Sequence, residues 1–155
     1  MYTFISAPIF HAAIPPYCCK LEGSNRLIVR LRLSKELAVE NIYVRTAPEG
    51  EECFTEAVRL SSNELPELAK RSDDTWEWWE ACLEVNVPLL QYRFCCVTSR
   101  GNLHFNAKGL CSFTPLDRDD FKVSLLNEPP QWVQDSIFYQ IFPELFCFKF
   151  KCFTS

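Results

Sequence analysis

Residues 26–33 read Arg26-Leu27-Ile28-Val29-Arg30-Leu31-Arg32-Leu33, placing Leu27, Val29, Leu31 and Leu33 on one side of an extended chain and Arg30 and Arg32 on the other. Side chains alternate across a strand with a period of two, so this is a strand with one face in a core and one toward solvent. The pattern recurs in residues 41–46, with Ile42 and Val44 inward, and in 91–97, with Tyr92, Phe94 and Cys96 on one face. It returns in 120–125, where Phe121, Val123 and Leu125 alternate with Lys122 and Ser124. Turn chemistry separates these runs: Glu22-Gly23-Ser24-Asn25 before the first, Pro48-Glu49-Gly50 before a strand over 53–60, and Ser99-Arg100-Gly101-Asn102 between two strands. Short strands at intervals of about ten to fifteen residues, without a long helical period, predict an all-β fold, an antiparallel β-sandwich. The single longer connection spans 61–75, with a helical turn expected over Glu64–Lys70 and a solvated tip at Asp73-Asp74.

The chain has 155 residues, 48% of them apolar and 14% aromatic, enough for a true core. Its net charge of −4 arises from interspersed side chains without a basic stripe, which argues against nucleic acid as a partner. The N-terminal twenty residues lack a positive start and are interrupted by Pro8, Pro15 and Pro16, so no signal peptide is expected. No run reaches the roughly 18 apolar residues of a membrane helix, so no membrane partner is expected either. Nine cysteines, with Cys18-Cys19 and Cys95-Cys96 adjacent and no Cys-x-x-Cys pair, read as small apolar residues of a reducing cytoplasm.

The strand over residues 76–85 carries most of the tryptophan. Trp79, Ala81, Leu83 and Val85 form its apolar face, and Trp76, Trp78, Glu80, Cys82 and Glu84 the other. Indoles beside carboxylates on an outward face suit sugar stacking, in which the apolar C–H faces of a pyranose lie on the ring and its hydroxyls meet polar neighbours. The competing arrangement buries Trp76 or Trp78 under the 61–75 loop. Trp76 and Trp78 are therefore candidate sugar contacts, with Tyr43 and Arg45 as outward-facing secondary candidates.

After Pro129-Pro130 comes Trp132-Val-Gln-Asp-Ser-Ile-Phe-Tyr-Gln-Ile-Phe-Pro-Glu144, an apolar aromatic run with eleven residues beyond it. A strand so apolar needs neighbours on both faces, as in a parallel sheet. The expected organisation is a sandwich over 1–128, a linker and the first strand of a second domain over 129–146, and a divergent tail over 147–155.

Trp132, Asp135, the Phe138-Tyr139-Gln140-Ile141-Phe142-Pro143 run and Phe146 resemble the opening of the catalytic barrel in the α-amylase family of glycoside hydrolases, family 13. Upstream, Asn41–Thr46, Trp79, Tyr92-Arg93-Phe94 and His104-Phe105-Asn106 are similar in order and spacing to the N-terminal sandwich of its maltodextrin glucosidases, neopullulanases and cyclomaltodextrinases. The resemblance implies an immunoglobulin-like, carbohydrate-binding module joined to a (β/α)8 barrel that hydrolyses α-1,4-glucosidic bonds. Its implied partners are a maltodextrin or related α-glucan and the barrel itself, with a homodimer as a further candidate. Leu145 stands where the family usually carries Arg, and the Cys147–Ser155 tail has no family counterpart. Because a barrel needs roughly 250 residues, the chain is expected to be a truncated product, inactive alone.

No catalytic residues are nominated. Retaining glycosidases need two carboxyl groups about 5 Å apart, and the resemblance places both beyond Ser155. The doublets Glu51-Glu52, Asp73-Asp74 and Asp119-Asp120 read as solvated surface acids. Only His11 and His104 could partner a cysteine nucleophile. No metal ligands and no cofactor are expected, because the acids lack calcium-loop order and histidines are few.

Overall fold

The computed structural model describes residues 8–65 and 75–125, which form eleven strands and short 3-10 turns with no α-helix among them. Two antiparallel sheets enclose one core. In the first, β3 (Arg26–Ser34) pairs along its full length with β7 (Trp76–Glu84), and β6 (Val58–Arg59) lines the far side of β7. The strands β1 (Ile9–Phe10) and β2 (Cys18–Lys20) share the other edge of β3. The second sheet centres on β8 (Leu89–Thr98), with β4 (Val39–Thr46) and then β5 (Cys53–Glu56) on one side. On its other side β9 (Gly101–Asn106) and β11 (Phe121–Ser124) pair with different halves of β8, and β10 (Gly109–Cys111) extends the sheet past β9.

The alternation in residues 26–33 survives folding intact. Leu27, Val29, Leu31 and Leu33 are buried and lie opposite Leu83, Ala81, Trp79 and Glu77 of β7. Ile42, Val44, Tyr92, Phe94 and Cys96 meet them from the second sheet. Each large apolar side chain so buried contributes about 1.5–3 kcal/mol, which makes the facing alternations the main reason the sheets stack.

The expected single strand over 53–60 is two strands. At Ala57, buried and donating its N–H to the Ile42 carbonyl at 2.8 Å, the chain leaves the second sheet for the first. Alanine is small enough for the backbone to pass between the sheets there. The core face of β7 also reaches one residue further than the apolar pattern, to Glu77. Its carboxylate, nine-tenths buried, is paired with Arg59 and accepts the Trp79 indole N–H at 3.2 Å. The expected helical turn over 64–70, the acidic tip at 73–74, the barrel strand within 129–146 and the 147–155 tail fall wholly or largely outside the described residues.

Residues 8–20 hold two strands that alternation did not reveal, being only two and three residues long. Between them the chain loops away from β3 and drops His11 into the core, against Tyr92, Phe94 and Phe121. The ring Nδ1–H donates to the Arg30 carbonyl at 2.7 Å, which fixes the tautomer, so Nε2 accepts the Tyr92 hydroxyl at 2.8 Å. Burial lowers the His11 pKa from 6.5 to about 4, against the raising effect of the Arg30 carbonyl. The unfolded chain therefore takes up a proton near pH 6.5 that the folded chain refuses until about pH 4. Stability from neutral His11 is complete above this window and is lost as pH falls through it. The loss amounts to about 3 kcal/mol at roughly 1.4 kcal/mol per unit of pKa. Urea unfolding across pH 7 to 4 is expected to show this decline, and His11→Gln to flatten it.

Candidate functional site

On the outer face of the first sheet, aromatic and guanidinium groups form a continuous strip. The pairing of β1, β3 and β7 places Phe10 beside Arg32 and Arg32 beside Trp78, while Trp76 is paired with Ser34 one step along the same face. The Arg32 guanidinium carbon lies 4.5 Å from the Trp76 ring centroid and 5.4 Å from that of Phe10. Tyr17, from the loop between β1 and β2, meets Phe10 edge-on at 4.9 Å and stacks on Trp78 at 5.3 Å with planes 20° apart. Beside this strip Arg30 holds the loop in place, donating to Glu80 and to the Pro16 carbonyl, each at 2.7 Å.

Trp76 and Trp78 thus share the expected outward face but differ in access. Trp76 is half-buried, whereas Trp78 is 3% exposed. Among the described residues its cover is Tyr17, which an unpatterned N-terminal loop delivers. The openness expected of Trp78 is therefore corrected: it supports the strip and offers no face to a ligand.

Arg45 is corrected in the same way. It points away from the core as expected, yet it is 5% exposed, because the segment joining β10 to β11 folds over it. Its Nε and Nη2 donate to Glu52 at 3.0 and 2.8 Å, and its Nη1 donates to Asp117 at 2.8 Å and to Asp120 at 3.5 Å. Arg93, equally buried, donates to Asp117 at 3.0 Å, Asp120 at 3.2 Å and the Pro115 carbonyl at 3.2 Å. The hydrogen bond from Arg45 holds the Asp117 carboxyl below the usual range, while burial pushes that of Asp120 up against the pull of Arg93. Asp120 has no exposed side-chain surface, so its expected place among solvated surface acids is also overturned. An ionic clamp with every guanidinium nitrogen of Arg45 engaged has nothing left for a sugar hydroxyl.

Tyr43 is half-buried on the outer face of the second sheet, and so is separate from Trp76 on the first. The register runs Tyr43, Cys95, His104, Cys111 across β4, β8, β9 and β10. Cys95 Sγ lies 3.5 Å from His104 Nδ1, a pairing that the strand register makes and the spacing in sequence conceals. Burial raises the Cys95 pKa and lowers that of His104, so both sides favour a neutral thiol beside a neutral imidazole. A nucleophilic dyad needs the opposite shifts. Among the described residues no three His, Cys, Asp or Glu side chains are grouped to hold a metal ion.

Phe10, Tyr17 and Arg32 complete the strip and were not singled out from the sequence. The outward position of Arg32 was legible in residues 26–33, but its aromatic neighbours come from a loop without periodicity.

Comparison with known proteins agrees with this architecture. The family model described as "Alpha amylase, N-terminal ig-like domain" matches residues 4–127. An intracellular maltogenic amylase of Bacillus subtilis (strain 168) is 27% identical over 97 residues, covering 57% of this chain and 16% of that protein. A maltogenic α-amylase of Bacillus acidopullulyticus is 28% identical over 82 residues, covering 48% of this chain and 14% of its own length. A solved cyclomaltodextrinase superposes with a TM-score of 0.62 at 19% identity, over 91% of this chain and 24% of that one, a likeness of fold. The matched region is thus about a sixth or less of either curated relative.

Proposed function

The chain belongs to the family of α-amylase N-terminal immunoglobulin-like domains, and on that premise we propose that it is the accessory domain of a hydrolase acting on α-1,4-glucosidic bonds of maltodextrins. In this role it contacts the α-glucan weakly and packs against a catalytic barrel, shaping access to the active site. The match over residues 4–127 carries the proposal, and relatives named as maltogenic amylases and a cyclomaltodextrinase support it. The cytoplasm is the proposed location. All seven described cysteines are free thiols, and the Bacillus subtilis relative is named as intracellular. No described helix is long and apolar enough to cross a membrane.

Calorimetric titration of the chain with maltoheptaose is expected to give weak, saturable binding. Absence of heat, together with unchanged amide chemical shifts, would remove sugar contact from the proposal. A second role, subunit contact without sugar affinity, is favoured by Phe54 and Val58, 57% and 67% exposed on the sheet-edge strands β5 and β6. Light scattering that gives a dimer mass in a preparation blind to maltoheptaose would select it.

A further inference from the structure

We propose that Phe10, Arg32 and Trp76 form the α-glucan contact site, with Tyr17 and Trp78 as the support beneath it. The inference rests on the proposed sugar-contacting role and assigns that role a place on the outer face of the first sheet.

The argument begins with Arg32. Arg30, Arg45, Arg59 and Arg93 each pair with a carboxylate. Arg32 instead lies between two aromatic rings, and its Nε is buried with no acceptor among the described residues. That Nε is too enclosed for a ligand to reach, so the donors open to an acceptor are the terminal nitrogens of the half-buried side chain, which make no hydrogen bond among the described residues. The guanidinium is planar and held against its rings, which pre-organises its donor fork.

Its flanks decide which acceptor fits. Phe10 is 39% exposed and Trp76 half-buried, so apolar ring surface borders the donors on both sides. A pyranose matches that combination, because its C–H faces cover the rings while its hydroxyl oxygens accept from the guanidinium. An anion matches it less well. Aromatic rings do not solvate phosphate, Glu80 lies on the same sheet face, and the chain as a whole carries a charge of −4. The strip is also held in place before binding: Tyr17 braces Phe10 from the side and rests on Trp78, and Arg30 ties the Tyr17 loop to β3 through Pro16. Such bracing limits the ordering cost of a weak ligand.

The test titrates the full 155-residue chain with maltoheptaose and, separately, inorganic phosphate, following tryptophan fluorescence and heat. Phe10→Ala and Trp76→Ala are each expected to weaken maltoheptaose binding by about tenfold, with the chain still folded by circular dichroism. Arg32→Lys, which keeps the charge and loses the fork, is expected to weaken it by a similar factor. Phe113→Ala removes an aromatic 69% exposed outside the strip and is expected to leave binding unchanged. Full maltoheptaose affinity in Phe10→Ala and Trp76→Ala would overturn this site while leaving the sugar-contacting role intact. Failure of the unmodified chain to bind maltoheptaose would instead defeat that role, and binding of phosphate alone would overturn the assignment of a neutral sugar.

Discussion

Asp120→Ala is expected to lower the stability of the sandwich by about 3–5 kcal/mol, a large part of the roughly 5–15 kcal/mol that holds an ordinary domain together. The carboxylate has no exposed side-chain surface and lies between the guanidinium groups of Arg45 and Arg93, whose side chains are 6% and 4% exposed. Its removal leaves two buried cations facing Asp117 and Glu52, both about half in water. Burying a charge without its partner costs far more than a surface ion pair returns, and that asymmetry sets the magnitude. The same substitution at Asp117, whose side chain is 55% exposed, is expected to cost about 1 kcal/mol or less. Urea denaturation of both variants at neutral pH measures the contrast. Equal small losses would mean that the clamp is dispensable and that the segment between β10 and β11 is held by other contacts.

Trp78→Ala is expected to cost about 3–5 kcal/mol, the range for truncating a buried aromatic to alanine. The indole is covered by Tyr17, so its loss opens a cavity beneath that ring and loosens the loop that carries His11. Trp76→Ala, at a half-buried position on the same strand face, is expected to cost much less stability and far more sugar affinity. The pair of variants separates support from contact. Thermal unfolding gives the first quantity and maltoheptaose titration the second. Trp78→Phe is expected to restore about half of the lost stability by refilling much of the space. If Trp78→Ala left stability unchanged while abolishing sugar binding, the division of roles between the two tryptophans would be reversed.

The fold was legible wherever a strand was long enough to show its period. Leu27 to Leu33, Ile42 and Val44, and Tyr92 to Cys96 each name their buried face in the sequence, because alternation is a local property of an extended chain. The strands β1 and β2 were not legible, since two or three residues carry no period and their pairing with β3 depends on a loop. The site was legible only in part for the same reason. The face of Trp76 and Trp78 follows from counting by twos, but whether a ring on that face is open depends on what arrives from elsewhere. Tyr17 arrives over Trp78 from a distant loop, and Asp117 and Asp120 arrive over Arg45 from 72 and 75 residues away. Adjacent acids misled in the same manner. Asp119 pairs with Lys108 near the surface while Asp120 turns inward, because Asp119 closes the 3-10 turn over Asp117–Asp119 and the chain becomes extended only at Asp120, just before β11.

Chemical-shift mapping on the isotopically labelled chain, titrated with maltoheptaose, tests the central claim most directly. The account predicts concentration-dependent shifts of the Trp76 indole N–H and of the Phe10 and Arg32 backbone amides, while the amides around Arg45, Arg93 and Asp120 stay in place. Shifts confined to the Arg45 side of the molecule, or none at saturating sugar, would contradict it.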